Sequence, residues 1–263
     1  MGYSVWQLVD AFIQTGEFDD ALALLDQHID QNPADAQALG TRGEIHLRLG
    51  QLERAIGDFR ALSHPTPDQS IYHAVALKRL GIFGSALDVL TDAFSRWEGE
   101  KTSGYHRLLD CFVDIAITQG DAIYLQRALD QLATVTDGNA SIVVRQGEIK
   151  QLLGDYHGAI AHYSQAIDLI SPQVSPSHYL ASVVGSWLCG RAGCYRAIGD
   201  DRSALADYLK AEILMPDDRA IAMNRAVVAG DMALMRSIWT NATEKERGLM
   251  ASITPDAIRK GEG

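Results

Sequence analysis

Apolar positions follow a helical period through most of the chain, and glycines interrupt them at intervals. Seven of these glycines each follow one apolar helical pattern and precede another: Gly16, Gly50, Gly81, Gly120, Gly154, Gly199 and Gly230. They are separated by 34, 31, 39, 34, 45 and 31 residues. A glycine just past a helix end adopts the left-handed conformation that satisfies the last carbonyl groups. The pattern therefore predicts pairs of helices joined by glycine-containing turns.

A common frame relates the helices that follow these turns. Five residues beyond five of the glycines stands an alanine: Ala21, Ala55, Ala86, Ala159 and Ala204. Four residues further on stands a large side chain, in the same order Leu25, Phe59, Leu90, Tyr163 and Tyr208. Residues four apart share one face of a helix, and the alanine leaves room for a second helix to come close. Because neither helix of a pair is long enough to be stable alone, each pair is expected to pack against the next.

The repeating unit resembles the tetratricopeptide repeat family. Residues 188–216 follow the family pattern in order and spacing through Leu188, Ala192, Tyr195, Gly199, Ala204, Tyr208, Ala211 and Pro216. Residues 143–171 follow it through Gly147, Gly154, Tyr156, Ala159, Tyr163 and Ala166. Less complete copies at 5–33, at 39–67 and around Gly81 and Gly120 extend the resemblance over roughly residues 2–216. The resemblance implies an all-α fold, a right-handed α-solenoid of antiparallel helix pairs.

The spacing also predicts how the chain is divided. Residues 1–240 are expected to form one solenoid domain of about six repeats plus a short capping helix pair. The capping pair consists of two short helices, Arg219–Ala229 and Asp231–Thr240. Residues 241–263 are expected to form a C-terminal helix and a tail that frays from Arg259 onwards. Thr243 and Glu246 have the spacing of a capping box that would open this helix.

The segment 171–198 is longer than the repeat requires. The turn glycines on either side of it are 45 residues apart, which exceeds a separation of 34 by 11. Prolines break helices, and two of them occur near the start of the segment. The next helix is therefore predicted to begin near Ser177 and to span about 22 residues. Three interpretations of this longer helix stay open. It is an elongation without functional consequence, it covers the end of a groove, or it offers a surface for self-association.

Acidic residues outnumber basic ones: the chain has 34 Asp and Glu against 23 Lys and Arg, and a formal net charge of −11. This balance argues against a nucleic-acid partner held through its phosphates and favours a basic partner. No stretch approaches the roughly 18 consecutive apolar residues of a membrane-spanning helix, so no membrane partner is expected. The three cysteines are too few for a disulfide scaffold, and the first residues lack the features of a secretion signal. These features predict a cytoplasmic protein.

The usual catalytic motifs are absent from the sequence. There is no phosphate-binding glycine-rich loop, dinucleotide fingerprint, zinc-protease helix or nucleophile elbow. Cys189 and Cys194 lie five residues apart, off the one-turn spacing and without a second Cys or His pair at zinc-site distance. The eight histidines are scattered through different repeats. The sequence therefore predicts no catalytic residue, no cofactor and no metal site.

Superposing the repeats reveals a row of acidic positions. Six residues before the first six turn glycines stand Asp10, Glu44, Val75, Asp114, Glu148 and Gly193. In tetratricopeptide repeats this register of the first helix faces a concave groove that holds extended peptides, so the resemblance implies carboxylates along such a groove. Asp110 lies one turn before Asp114 and would add to the negative charge. With roughly 10 Å between neighbouring helices, the repulsion in water is only about 0.4 kcal/mol per pair.

Other residues near the same face modify this interpretation. Arg48 and Arg79 lie one turn further along it, and Arg48 can pair with Glu44 at the i to i+4 spacing. Such pairing would leave a mixed-charge surface of weak selectivity. Trp6 and Tyr72 are candidate anchoring aromatics for a partner, or ordinary packing residues between repeats. Acidic residues also occupy positions where some family members carry Asn in a clamp for acidic C-terminal tails, so binding of such a tail is expected to be unfavourable.

These features favour a non-catalytic protein–protein interaction scaffold that binds a peptide segment of basic or mixed charge in a concave groove. Its partner would be another protein or a peptide, with neither nucleic acid nor membrane involved. Two alternatives stay open on the residues alone. In one, the solenoid is a self-assembling structural module that forms a homo-oligomer; in the other, Asp110, Asp114 and Glu148 form the divalent metal site of an enzyme. The acidic row also has a chance explanation, since acidic residues are common in this chain.

Overall fold

Short turns join α-helices in the part of the chain that is described. The computed structural model describes residues 4–97, 103–135, 139–170 and 179–261, and within these ranges the regular structure is helical, without β-strands. The helices up to position 133 are α1 (Val5–Thr15), α2 (Phe18–Gln31), α3 (Ala36–Arg48), α4 (Leu52–Arg60), α5 (Pro67–Arg79), α6 (Phe83–Trp97), α7 (Ser103–Gln119) and α8 (Ala122–Ala133). The later helices are α9 (Ala140–Leu152), α10 (Tyr156–Ile170), α11 (Ala181–Ala197), α12 (Asp201–Leu214), α13 (Arg219–Ala229), α14 (Met232–Asn241), α15 (Glu244–Met250) and α16 (Asp256–Arg259). The predicted all-α class is confirmed.

Two compact units divide the chain, residues 1–128 and residues 129–263, with the boundary inside α8. In the first unit, each helix from α1 to α6 packs against the helix that follows it, and α3, α5 and α7 also contact one another in order. In the second unit, each helix from α9 to α13 packs against the next, while α15 packs on α13 and α16 on α14. Each unit is thus a stack of helix pairs of the solenoid type. That residues 1–240 behave as one domain stays a prediction.

Glycine forms the turn of the helix pairs, as predicted. All seven predicted turn glycines have a positive φ, between 68° and 82°. At Gly50 the backbone N–H donates to the carbonyl of Leu47 at 3.2 Å. The following N–H, that of Gln51, donates to the carbonyl of His46 at 2.8 Å. This pair of hydrogen bonds is the Schellman motif, and five other turns repeat it at equivalent positions. A side chain would be strained at such a φ, which is why glycine occupies these positions.

The alanines and large residues of the common frame form the interior of the pairs. The five alanines are 0% exposed, and the large residues four positions later are at most 4% exposed. The two helices of a pair also lie close together. A Cβ added at Gly43 on α3 would lie only 2.8 Å from the Phe59 ring on α4. The pair around the fourth turn departs from the frame, since Leu125 stands in place of the alanine and is 1% exposed. The predicted frame is confirmed at the five alanine positions.

The helix that precedes the sixth turn is shorter than predicted. α11 begins at Ala181 and has 17 residues, so the prediction of a start near Ser177 and a length of about 22 residues was wrong. Tyr179 is 82% exposed, whereas Ala181 and Val184 are at most 5% exposed. The helix therefore begins where its first turn becomes buried against neighbouring helices. The part of the segment 171–198 that precedes Tyr179 lies outside the described residues.

Four short helices end the chain. α13 has the predicted bounds, and α14 ends one residue beyond the prediction. The predicted capping box is confirmed: the Thr243 hydroxyl accepts the N–H of Glu246 at 3.3 Å, and the Glu246 carboxylate accepts the N–H of Thr243 at 2.7 Å. α16 ends at Arg259, and its Ile258 is 3% exposed in a core shared with α13 and α14. That this end caps the stack stays a prediction.

Candidate functional site

The first helices of three successive pairs bring charged groups together around one tyrosine. α3, α5 and α7 contact one another in order, and Tyr72 on α5 is half-buried. Burial raises the pKa of the Tyr72 hydroxyl, and the carboxylates of Glu44 and Asp68 raise it further. The guanidinium groups of Arg107 and Arg48 oppose this shift. Of the predicted site residues, Glu44, Arg48 and Tyr72 therefore lie close enough to interact electrostatically.

Ion pairs neutralise part of this surface. Arg48 Nη2 lies 2.6 Å from Glu44 Oε1 within α3, which confirms the predicted i to i+4 pairing. Arg107 Nη1 on α7 lies 2.7 Å from Asp68 Oδ1 on α5. All four side chains are at least one-third exposed, so each pair contributes only about 0–1 kcal/mol to stability. The surface thus has mixed charge, and its pairs are weak enough to be rearranged.

Asp110 and Asp114 lie beside the thiol of Cys111 on α7. Burial raises the pKa of this thiol to about 11, the ammonium group of Lys78 on α5 opposes the shift, and the two carboxylates add to it. Asp110 and Asp114 are both exposed. These two acidic residues therefore share a surface with a cation of the neighbouring first helix.

Trp6 has a packing role within the first helix pair. Its ring makes a T-shaped contact with the His28 ring on α2, with the centroids 5.6 Å apart. His28 Nε2 in turn lies 2.8 Å from Asp35 Oδ2, and this hydrogen bond is the main reason why the pKa of Asp35 is lowered. Asp10, one turn further along α1, is exposed. The geometry supports the packing alternative for Trp6.

Arg79 and Glu148 make local contacts of different kinds. Arg79 Nη1 donates to the carbonyl of Leu47 at 3.3 Å, near the C-terminus of α3. A cation at this end of a helix is favourable, because the last carbonyl groups carry partial negative charge. Glu148 belongs to the second unit, where its Oε2 lies 3.1 Å from Arg145 Nη1 on the same helix. Arg79 therefore joins two helix pairs, whereas Glu148 is part of an exposed ion pair on α9.

Sequence reasoning missed a buried ion pair inside the α3–α4 pair. Arg42 Nη2 lies 2.6 Å from Asp58 Oδ1, and Arg42 Nε lies 3.1 Å from both oxygens of this carboxylate. Arg42 Nη1 reaches Asp26 Oδ1 on α2 at 2.7 Å, and His46 Nδ1 lies 3.0 Å from Asp58 Oδ2. The Asp58 side chain is only 6% exposed. Arg42 thus joins the two helices of its own pair and also the preceding pair.

The second unit repeats this arrangement. Arg191 Nε and Nη2 lie 2.7 Å and 2.8 Å from the two oxygens of Asp207, whose side chain is 5% exposed. Arg191 Nη1 donates to Ser164 Oγ on α10 at 2.8 Å. In both units the arginine stands eight residues before a turn glycine and the aspartate eight residues after it. This shared spacing was the signal available in the sequence.

The described ranges contain no group of three or more His, Cys, Asp and Glu side chains arranged to hold a metal ion. The metal-enzyme alternative therefore gains no support from them. In the same ranges, none of the helices combines the length and the apolarity that crossing a membrane requires.

Stacked helix pairs, glycine turns and buried alanines define the class of helical-repeat proteins. Within this class, a sequence model of the tetratricopeptide repeat family matches residues 7–70, which include α2, α3 and α4. The same frame of turn glycines and buried alanines recurs in the later pairs, so the likeness to tetratricopeptide repeats extends beyond the matched residues. A search of curated proteins found no match.

Solved structures of this fold cover nearly the whole chain. A tetratricopeptide repeat protein from Parabacteroides merdae is 16% identical with a TM-score of 0.62, over 95% of this chain and 97% of that chain. The C-terminal part of a TPR repeat-containing protein from Cytophaga hutchinsonii is 13% identical with a TM-score of 0.62, over 97% and 98% of the two chains. A chain of the APC/C hetero-tetramer Cut9–Hcn1 is 14% identical with a TM-score of 0.52, over 94% of this chain and 48% of that chain. Similarity at these identities establishes the fold.

Proposed function

We propose that the protein binds a peptide segment of a partner protein on the first-helix face of its first unit. The residues proposed to form this face are Glu44, Arg48, Tyr72, Asp110 and Asp114. The tetratricopeptide fold indicates a protein–protein interaction scaffold, and one structural neighbour is known as part of a hetero-tetramer. The observation that carries the proposal is the set of exposed ion pairs that α3, α5 and α7 form near Tyr72, Glu44–Arg48 within α3 and Asp68–Arg107 between α5 and α7.

Exchange of ion pairs is the physical basis of this binding. The side chains of Glu44 and Arg48 are 34% and 53% exposed, so their pair is weak and a partner's charges can replace it at little cost. Asp110 and Asp114 add negative charge next to Lys78. A face with both signs of charge selects a segment of basic or mixed charge and disfavours an acidic one. Tyr72 adds the aromatic contact that interfaces often use.

The state of the cysteines supports a non-catalytic role. Burial raises the pKa of Cys111 and Cys194 to about 11 and that of Cys189 to about 12. The thiolate rather than the thiol is the nucleophile, so these side chains are unreactive at neutral pH. None of the three offers an activated nucleophile for covalent catalysis.

Titration with short peptides tests the proposed face. The probes are fluorescein-labelled 12-residue peptides in three sets, rich in Lys, alternating Lys and Glu, or rich in Glu. We expect the first two sets to bind at least about tenfold more tightly than the acidic set, because the face carries a surplus of carboxylates. Tighter binding of the acidic peptides would overturn the proposal.

Paired substitutions locate the binding on this face. Glu44→Gln combined with Asp114→Asn removes two attractive charges, so binding of the Lys-rich peptide should weaken about fivefold and depend less on salt. The matched control, Asp30→Asn combined with Glu53→Gln, makes the same change of net charge at exposed positions on α2 and α4. Equal weakening by the two pairs would show a nonspecific charge effect and contradict the proposed location.

A further inference from the structure

The second unit contains a cavity, open to solvent, at the start of α13. It has a volume of about 520 Å³ and lies between the α12–α13 connection and α15. The apolar part of its lining is formed by Leu214, Met215, Pro216, Ala220, Leu249 and Met250. Cavities of roughly 300–1,000 Å³ are typical of sites that enclose a small ligand or a large side chain. The cavity is therefore large enough to take an apolar side chain from outside.

Leu249 lines the cavity but remains exposed to solvent. Met250, the next residue of α15, is 1% exposed, whereas Leu249 is 70% exposed. An exposed leucine alone needs no explanation, but this one stands at a preformed cavity with apolar walls. Contact with a further apolar group would remove its surface from water and fill the cavity at the same time.

The polar residues around the cavity give it negative charge. Its lining includes Asp217, Asp218 and Glu246 against a single cation, Arg219. Arg219 Nη1 is already engaged, since it lies 2.7 Å from Glu246 Oε2 and donates to the carbonyl of Asn241 at 2.9 Å.

Hydrogen bonds hold two of these carboxylates, those of Glu246 and Asp218. Hydrogen bonds from the backbone and the hydroxyl of Thr243 lower the pKa of Glu246, with Arg219 adding to the effect. Asp218 accepts the N–H groups of Ala220 and Ile221 at the start of α13. Asp217 is exposed. The lining of the cavity thus carries three carboxylates and one guanidinium group that is already paired.

We propose that this cavity is a second docking site, which accepts a Leu- or Phe-sized side chain of a partner segment flanked by Lys or Arg. The apolar walls and the exposed Leu249 select the large side chain, and the carboxylates select the flanking cations. An acidic segment is excluded by repulsion from the same carboxylates. The site uses α12, α13 and α15 of the second unit, so it is independent of the face proposed above.

The test uses the full chain and a defined probe. The probe is a fluorescein-labelled 12-residue peptide with a central Leu-Phe pair between two lysines on each side, and fluorescence polarisation reports its binding. One control peptide replaces the Leu-Phe pair by Ala-Ala, and a second replaces the lysines by glutamates. We expect both controls to bind at least about tenfold more weakly than the probe. Equal affinity of the probe and either control would overturn the proposal.

Methionine methyl groups report where the probe binds. In protein labelled with ¹³C at the methionine methyls, the signals of Met215 and Met250 should shift on titration, because both residues line the cavity. Met235 is 2% exposed in the core, and Met232 is 40% exposed at the start of α14. These two signals should stay in place. Shifts confined to Met232 or spread equally over all four would overturn the assignment.

Substitutions separate an effect at this site from a loss of the fold and from a change at an unrelated exposed position. Leu249→Lys should weaken the probe at least about tenfold, whereas Leu152→Lys, at a position that is 51% exposed on α9, should not change it. Because both side chains are exposed, circular dichroism should show intact folding. The Asp30→Asn and Glu53→Gln pair, at exposed positions outside both proposed sites, should leave probe binding unchanged. Oligomers that form without peptide and disappear in Leu249→Lys would overturn the proposal by identifying a second copy of the chain as the occupant.

Discussion

Ala159 and Gly147 illustrate how little room the paired helices leave between them. Ala159 on α10 is 0% exposed, and a Cβ added at Gly147 on α9 would lie 3.5 Å from the Ala159 carbonyl oxygen. The two helices approach this closely because both positions are small. Tyr163, one turn further along α10, occupies the adjoining space, and its hydroxyl donates to Gln151 Oε1 at 3.0 Å.

A larger side chain at this contact should destabilise the fold. We expect Ala159→Leu to lower the free energy of unfolding by about 1–3 kcal/mol, because three additional carbon atoms have no space between α9 and α10. Ala161→Leu is the control on the same helix, where the alanine is exposed and the change should be within about 0.5 kcal/mol. Urea denaturation measures both. Equal stabilities of the two variants would contradict the close approach at Ala159.

His73 is a single residue whose protonation opposes the fold. Its ring packs against the Phe59 ring, with the centroids 6.1 Å apart. Its Nε2 atom is buried and has no hydrogen-bond partner among the residues that the structure describes. Burial, together with the positive charge of Arg60, lowers the pKa of His73 from 6.5 to about 4. Between these two values the unfolded chain binds a proton at this position and the folded chain does not.

Stability should therefore fall as the pH drops from about 6.5 towards about 4. We expect the urea midpoint of unfolding to fall between pH 7 and pH 5, and to fall less in His73→Phe, because a phenyl ring cannot be protonated. His157→Phe is the control at an exposed histidine of α10 and should keep the pH dependence of the natural chain. Identical pH profiles of all three proteins would show that His73 makes no contribution.

At the scale of helices and helix pairs, buried arginine–aspartate contacts fix how elements are joined. Arg42 and Arg191 each hold an aspartate of their own pair with two nitrogens and contact the preceding pair with the third. The Asp58 and Asp207 side chains are 6% and 5% exposed. A carboxylate removed from water to this extent strongly destabilises the fold when its partner is lost.

Removing Arg191 should lower the free energy of unfolding more than removing an exposed arginine does. We expect Arg191→Leu to lower the free energy of unfolding by about 3–5 kcal/mol, because Asp207 is left buried without its cation. The double variant Arg191→Leu and Asp207→Leu should recover part of this loss, since it leaves no unpaired charge. Arg48→Gln, at a side chain that is 53% exposed, should cost less than about 1 kcal/mol. Urea denaturation measures the free energy of unfolding of each variant. A loss in Arg191→Leu no larger than the loss in Arg48→Gln would contradict this prediction.

The elements could be predicted where a local requirement fixes the residue type. A turn with positive φ requires glycine, and a close helix contact requires alanine, so the turns and the buried frame were predictable from residues such as Gly50 and Ala159. The start of α11 was not predictable, because prolines indicate where a helix ends and not where burial allows the next one to begin. The ion pair of Arg42 and Asp58 was missed because charged residues in a single sequence are ordinarily assigned to the surface. Nothing local connects two residues that lie sixteen positions apart.

The candidate site was predictable only in part, because it depends on contacts between elements. The register of the repeats correctly suggested that Arg48 would pair with Glu44, which requires only one helix. It did not indicate that Asp68 and Arg107 would join the charges around Tyr72, since this depends on how α5 and α7 pack. Nor did it show that Arg79 would reach a carbonyl of the preceding pair.

At the scale of the whole molecule, stability is a sum of contacts between neighbours. Within each unit, helices pack on the helices next to them in the chain and on those of the adjacent pair. Repeat proteins built in this way are described by the intrinsic stability of each repeat and by interfaces between nearest neighbours. Damage to one interface is therefore expected to open the pairs beside it more than pairs that are distant along the chain.

Hydrogen exchange can measure this locality with two matched variants. In Ala159→Leu, amide exchange under native conditions should accelerate most in α9–α12 and least in α1–α4, because the overpacked contact lies between α9 and α10. In Ala55→Leu, which overpacks the equivalent buried alanine of α4, the gradient should be reversed, with the largest increase in α3–α6. Mass spectrometry of peptic fragments resolves these segments. A uniform increase along the chain in both variants would mean that all helix pairs open together, and the nearest-neighbour description of this protein would then be wrong.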